Sequence, residues 1–206
     1  MLSVKQLEKI PDDRYLAMMT RCVFNAGFHW RVISNKWPGF EAAFHGFNPR
    51  GLAHMPPEAW EAYVEDSRIV RNWTKIKSVL DNAHFMLEEA QRHGSFAAFI
   101  AHWPASDQVG LLAYLKQHGS RLGGNTGMYF LRFMGKDSFI LSRDVIARLQ
   151  ASGLAIRDKP GSKKELGLIQ AAFNTWHAES GLPYTHLSSI AAFSIGENYP
   201  NPEASL

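Results

Sequence analysis

The sequence predicts an all-α protein of roughly ten short helices, and three observations carry that expectation. Apolar residues return every three or four positions in one segment after another, which gathers them on one face of a helix. No stretch alternates apolar and polar residues for long enough to build a sheet. Glycine, proline and small polar residues fall between the periodic segments, where helices start and stop.

Residues 12–24 read as the first helix, with Asp12 or Asp13 as cap and Tyr15, Leu16, Met19, Cys22 and Val23 on one face. The helical pattern resumes from Phe28 to Asn35. Pro38 sits where a new helix can begin, ahead of an apolar stripe of Phe40, Ala43, Phe44 and Phe47. Asn48-Pro49 opens a short turn or helix ending near Met55. Pro56-Pro57 opens another, with Trp60, Tyr63 and Val64 inward. A longer helix is expected from about Asn72 to His93, burying Ile76, Val79, Leu80, Ala83 and Leu87, until Gly94-Ser95 breaks it. Phe96 to Trp103 is helical. Pro104 to Asp107 leads into the next helix, which breaks at Gly119. The pattern returns after Gly123-Gly124, so two short helices are joined by a glycine turn, with Thr126 as cap of the second. Thr126 to Met134 is helical and stops at Gly135. Phe139 to Ser142 is an apolar connector too short to classify. Ser142 caps a helix through Leu149, and Gly153 to Ser162 is a loop. Lys164–Ser180 and Tyr184–Ile195 are the last two helices. The polar, proline-containing tail, 197–206, is expected to fray.

The chain of 206 residues suits one domain, or two intimate lobes sharing a core; one domain over 1–206 is expected. Cys22 is the only cysteine, so neither a disulfide framework nor a cysteine-built zinc cluster is available, and a reducing cytoplasm fits. No apolar run reaches membrane-spanning length, and the first residues lack a signal-peptide core. The net charge is only +3, but it is uneven. From Lys116 to Lys164 there are ten Lys or Arg against three acids, a surplus of +7, which leaves −4 for the rest. A basic segment centred on a glycine turn suits a polyanion, and an ordinary solvated surface fits the same charge. Glycines expose backbone N–H groups, and amides at a helix N-terminus attract a phosphate. An ordinary helical corner is the other reading of this turn.

Three blocks of residues resemble the DNA-3-methyladenine glycosylase I family, within the helix–hairpin–helix DNA glycosylase superfamily. The first is Ala26-Gly-Phe-His-Trp30 followed by Phe40 to Pro49. The second runs from Arg68 through Arg71 and Lys75-Ile76 to Asn82-Ala83. The third is Leu115-Lys116 to Gly119 with Gly124-Asn-Thr126-Gly-Met-Tyr129. Their order and spacing hold over roughly residues 20–135. The resemblance implies a two-lobed helical bundle with a helix–hairpin–helix motif, here at about 107–135. It also implies duplex DNA with a damaged base as partner, gripped by hairpin amides on backbone phosphate. The flipped base is then released by hydrolysis of its N-glycosidic bond. A monofunctional enzyme for alkylated purines is expected, monomeric, cytoplasmic and nucleoid-associated. A non-catalytic reader of damaged DNA is the alternative, and a helical scaffold without nucleic acid a remoter one.

The resemblance makes Trp30 the stacking wall of a base pocket, with Phe28, His29 and Tyr15 as weaker wall candidates. Asn25 is a candidate to read a base edge, since an amide offers donor and acceptor. Cys22 occupies the position, eight residues before the tryptophan, where the family carries a base-reading glutamate. The family's zinc-ligand cysteines and histidines have no counterpart here, so no metal and no cofactor is expected. Asp144, with Ser142 and Arg143 as alternatives for the superfamily position, is the candidate carboxylate that stabilises an oxocarbenium-like sugar and orients water. Lys116, Arg121, Gly123, Gly124, Asn125, Thr126 and Arg143 are the expected DNA contacts, with Arg132 and Lys136 as further phosphate candidates. Arg71, Lys75 and Asn82 either brace the fold or face DNA. Ser120 and Arg121 stand where the superfamily hairpin has proline and its first glycine.

Overall fold

The computed structural model describes residues 1–195, so the expected fraying of 197–206 lies outside the described residues. Within them the chain is helical, without a strand. It divides into a larger unit, Leu2–Trp103 with Leu112–Lys136, and a smaller one built mainly from Pro104–Leu111 and the described residues from Asp137 onward.

The larger unit opens with α1 (Val4–Glu8), started by a capping box in which Ser3 and Gln6 bond each other's backbone. Next is α2 (Asp12–Asn25), whose face of Tyr15, Leu16, Met19, Val23 and Phe24 forms the centre of the core. Neither Asp12 nor Asp13 caps it; Pro11 is the N-cap. The Asp12 carboxylate instead accepts from the amides of Phe96 and Ala97, at the start of another helix. α3 (Trp30–Ala43) is one helix with Pro38 inside it, not two meeting at Pro38. Its stripe buries Ile33, Phe40 and Ala43, and Phe40 meets Phe24 edge to face at 4.7 Å. That packing outweighs the hydrogen bond a proline removes. α4 (Pro49–Ala53), capped by Asn48, and α5 (Pro57–Glu61) follow, with a 3-10 turn before and after. α6 (Trp73–His93) is the longest helix, capped by the side chain of Asn72. Ile76, Val79 and Ala83 face the core. α7 (Phe96–His102) is capped by Ser95, and Phe96 sets its ring edge on Tyr15 at 5.6 Å. α8 (Gln108–His118) and α9 (Asn125–Phe133) are the two helices of the hairpin.

The turn between α8 and α9 is pinned from α6. The Asn82 amide, almost fully buried, takes Ser120 by both backbone groups: Ser120 N donates to Asn82 Oδ1 at 2.7 Å, and Asn82 Nδ2 donates to Ser120 O at 3.1 Å. The Ser120 hydroxyl donates to Asp81. Gly127 packs directly on the turn, because a Cβ there would collide with the carbonyl oxygen of Leu122.

In the smaller unit, residues 138–141 form an extended connector whose backbone is satisfied by side chains. Gln108 exchanges two 2.7 Å bonds with Phe139, Thr185 bonds Ser138, and Ser188 bonds Ile140. Phe139 stacks on Phe173 at 4.3 Å. The connector leads into α10 (Arg143–Ala151), capped by Ser142 as expected. α11 (Lys163–Ser180) and α12 (Tyr184–Phe193) complete the unit, and Asp137 accepts from the first amides of α12. Glu165 closes the capping box of α11 and is gripped by Arg157. That guanidinium and the Ser162 donors hold its carboxyl well below the usual range. Among the described residues no helix is long and apolar enough to cross a membrane.

Two outcomes follow from these contacts. Asn82→Ala strands both backbone groups of Ser120 and should cost about 1–3 kcal/mol in urea unfolding; an unchanged midpoint would contradict the bracket. The depressed Glu165 carboxyl contributes stability that is complete above the unfolded value of about 4.3 and lost as pH falls below it. The gap in urea midpoint between wild type and Glu165→Gln should therefore be widest near neutrality and narrow below about pH 4.

Candidate functional site

The end of α2, the start of α3 and one face of α9, all in the larger unit, surround one cavity of about 300 Å³. Cys22, Asn25 and Ala26 come from the end of α2, and Trp30 from the start of α3. Asn125, Thr126, Tyr129 and Phe133 come from α9. The helical repeat explains the choice: residues three and four apart share a face, so Cys22 with Asn25, and Thr126 with Tyr129 and Phe133, point the same way. Tyr129 and Phe133 stack at 5.7 Å, and Trp30 is 60% exposed. Exposed aromatics grouped around a concavity mark a binding surface, and their faces suit a planar ring. The volume is at the lower end of small-molecule pockets.

The floor of this cavity carries no charge. Cys22 is 6% exposed, and burial pushes its thiol up to about 12, so it is neutral at physiological pH. The Asn25 amide supplies polarity: its Oδ1 is buried without a hydrogen-bond partner, an acceptor that a ligand donor can meet.

A second groove of about 310 Å³ shares Ala26 and Thr126 with the first, and adds Val23, Arg121 and Gly123. It is the outer face of the hairpin turn. Arg121 adopts φ +61, a left-handed conformation costly for a residue with a Cβ. Gly124 takes φ +58 with ψ −136, which glycine alone adopts readily. Gly124, not Thr126, is the N-cap of α9, and it offers no side-chain acceptor. The Asn125 and Thr126 amides open the first turn of α9, where no side chain caps them and the helix end is positive, the arrangement that receives an anion. Thr126 lies inside the helix and lines both concavities. The Lys116 stem lies over Gly123, where an added Cβ would come within 3.1 Å of its Cγ.

Other expected residues fall elsewhere. Tyr15 is not a pocket wall: it is fully buried, and its hydroxyl donates to the Leu7 carbonyl. Phe28 is exposed and lies outside the lining of the cavity, with its ring against the Lys75 ammonium. Lys136 is no phosphate contact, because it is buried with its ammonium on the carbonyls of Ala101 and Trp103. Lys75 and Asn82 are both braces, two helical turns apart on α6. In the smaller unit Arg143 is exposed at the first position of α10, and Asp144, half-buried, lies in its first turn. Among the described residues no group of His, Cys, Asp and Glu is placed to hold a metal ion. Tyr129 and Phe133 were missed as wall residues. Their signal is visible in retrospect: α9 carries Met128, Phe130 and Leu131 to the core, yet also large aromatics on its other face.

Residues 8–119 match the family model of methyladenine glycosylases. The chain is 32% identical over 92 residues to DNA-3-methyladenine glycosylase 1 of Escherichia coli (strain K12), covering 43% of this chain and 49% of that protein. It is 28% identical over 75 residues to the DNA-3-methyladenine glycosylase of Haemophilus influenzae, covering 36% and 40%. The match thus spans about half the length of these curated relatives, or less. A crystal structure of a tyrosine variant of 3-methyladenine DNA glycosylase I, in complex with 3-methyladenine, shares the fold. Its TM-score is 0.54 at 24% identity, over 61% of this chain and 77% of that one. With more than half of its residues matched by the family model, and a fold to agree, the chain belongs to the methyladenine glycosylase family.

Proposed function

We propose that this protein is a DNA glycosylase that hydrolyses the N-glycosidic bond of an alkylated purine, such as 3-methyladenine, flipped out of duplex DNA. The observation that carries this reading is the shared edge of the two concavities. An aromatic cavity the size of a base opens beside a turn whose free amides suit a phosphate, and Ala26 and Thr126 belong to both. A strand held by its backbone at Arg121, Gly123 and Gly124 has a neighbouring base within reach of Trp30, Tyr129 and Asn25. Lys116 adds charge at the turn, and Arg143 is a further phosphate contact by its exposure.

The chemistry asks little of the cavity. A 3-methylated adenine is cationic in DNA, so it leaves as a neutral base when the C1′–N bond breaks. Water adds at C1′, gives up its proton, and leaves an abasic site. Stacking against aromatic faces favours a cationic ring without a charged partner, which suits a floor where Cys22 is neutral. Asp144 is the carboxylate assigned to the sugar cation and the water by its place in the chain, directly after the connector and the Ser142 cap. Such an enzyme acts at the nucleoid, as a monomer. The uncharged Cys22 also favours a second reading, a protein that recognises damaged DNA without cleaving it.

Incubation with methylated DNA and chromatography of the released bases separates the two readings. Wild type should release 3-methyladenine, and binding with no release would assign the second. Trp30→Ala should lower single-turnover release by about ten- to a hundredfold. Asp144→Asn, still folded, should lower it by about a hundredfold or more, and unchanged release would remove Asp144 from the chemistry. Arg121→Gly should weaken duplex binding and reduce the salt slope by about 1. The same change relieves the left-handed backbone, so stability should hold or rise by up to about 1 kcal/mol.

A further inference from the structure

Lys75 is 5% exposed, in the first turn of α6. Its ammonium donates to the carbonyl oxygens of Ala26 at 2.6 Å and Phe24 at 3.0 Å, and sits 4.5 Å from the centre of the Phe28 ring. These carbonyls belong to the end of α2, where oxygens lack partners within the helix and the dipole is negative. The chain then leaves the helix in extended conformation at Ala26, turns at Gly27 with φ +78, and enters α3 at Trp30. The ammonium therefore ties the corner between α2 and α3. From that corner Asn25, Ala26 and Trp30 enter the base cavity, and Ala26 enters the groove at the turn. Burial lowers the Lys75 pKa, and the charge of Arg121 lowers it further. Two of its three donors are engaged by carbonyls, and the Phe28 ring and its burial leave the ammonium little access to a phosphate.

We propose that Lys75 is a positioning residue for base excision. It holds the α2–α3 corner so that Asn25 and Trp30 stand at the right distance from Tyr129, and it makes no contact with DNA. This rests on the glycosylase reading and adds to it a residue remote from the reacting atoms. A wall misplaced by about 1 Å is enough to lower a rate a hundredfold.

The test uses Lys75→Met, which keeps the stem, and Lys75→Arg, which keeps the charge. Two quantities are read: duplex affinity across a salt series, and single-turnover release of 3-methyladenine. Lys75→Met should release base about ten- to a hundredfold more slowly, with duplex affinity within about twofold and an unchanged salt slope; Lys75→Arg should recover part of the rate. A wild-type rate in Lys75→Met overturns the proposal, and so does a loss of affinity with the slope reduced by about 1, the mark of a phosphate contact. Lys75→Gln replaces the methionine variant if that does not fold. If wild type releases no base at all, the glycosylase reading fails and hydrogen exchange decides this one. Amides 25–30 should exchange faster in Lys75→Gln while those of α9 do not, and equal exchange at 25–30 overturns it.

Discussion

The two hydrogen bonds between the Asn82 amide and the Ser120 backbone are the contact on which the site depends. A helix–turn–helix corner made of glycines has many accessible shapes. Here one buried amide satisfies both backbone groups of Ser120, and the next residue, Arg121, takes a left-handed conformation. With Arg121 set, Gly124 can cap α9, and α9 can aim Thr126, Tyr129 and Phe133 at the end of α2. The same α6 face carries Lys75, which secures that end of α2. One helix therefore holds both walls, through two buried polar side chains that satisfy backbone groups of the neighbouring elements. Each polar group has its partners, which is the condition for burying it.

The character of the cavity follows from what is missing as much as from what is present. Its wall holds three aromatic rings, a neutral thiol and one amide with an unmet acceptor. Such a surface holds a planar, electron-poor ring through its faces and reads one edge. It does not need a carboxylate to attract a cation, because the quadrupole of the rings does so. In the proposed reading, selectivity comes from these ring faces and from the unmet acceptor of Asn25, with the neutral Cys22 beneath them.

The legible part of the site was the part carried by backbone pattern. Trp30 and Cys22, singled out by the family resemblance, and Asn25 line one cavity, where the end of α2 meets the start of α3 across the turn at Gly27. The turn residues from Arg121 to Thr126 were readable through their glycines. Tyr15 was not, because a tyrosine on an apolar helical face can equally be core, and its hydroxyl found a carbonyl on α1 that no local pattern reveals. Thr126 looked like a cap because threonine before an apolar run usually is one. The helix starts a residue earlier, with glycine at the cap, because the turn demands a conformation that threonine resists. Lys136 read as a phosphate contact and Lys75 as either a brace or a DNA contact, and each lies buried over carbonyls at a helix end.

By itself the sequence determined that the chain is helical, where its long helices begin and end, and that a glycine turn sits in its most basic segment. Those properties are local: periodicity, capping and the conformational limits of glycine and proline act within a few residues. Only the tertiary structure decided which lysines and carboxylates are buried braces, that Pro38 lies within a continuous helix, and that α9 turns Tyr129 and Phe133 toward Trp30. Each of those depends on a partner far away in the chain: Phe24 for Phe40, Phe96 for Asp12, Ser120 for Asn82. Side chains so distant in sequence meet through packing and hydrogen bonding that no short window of residues contains.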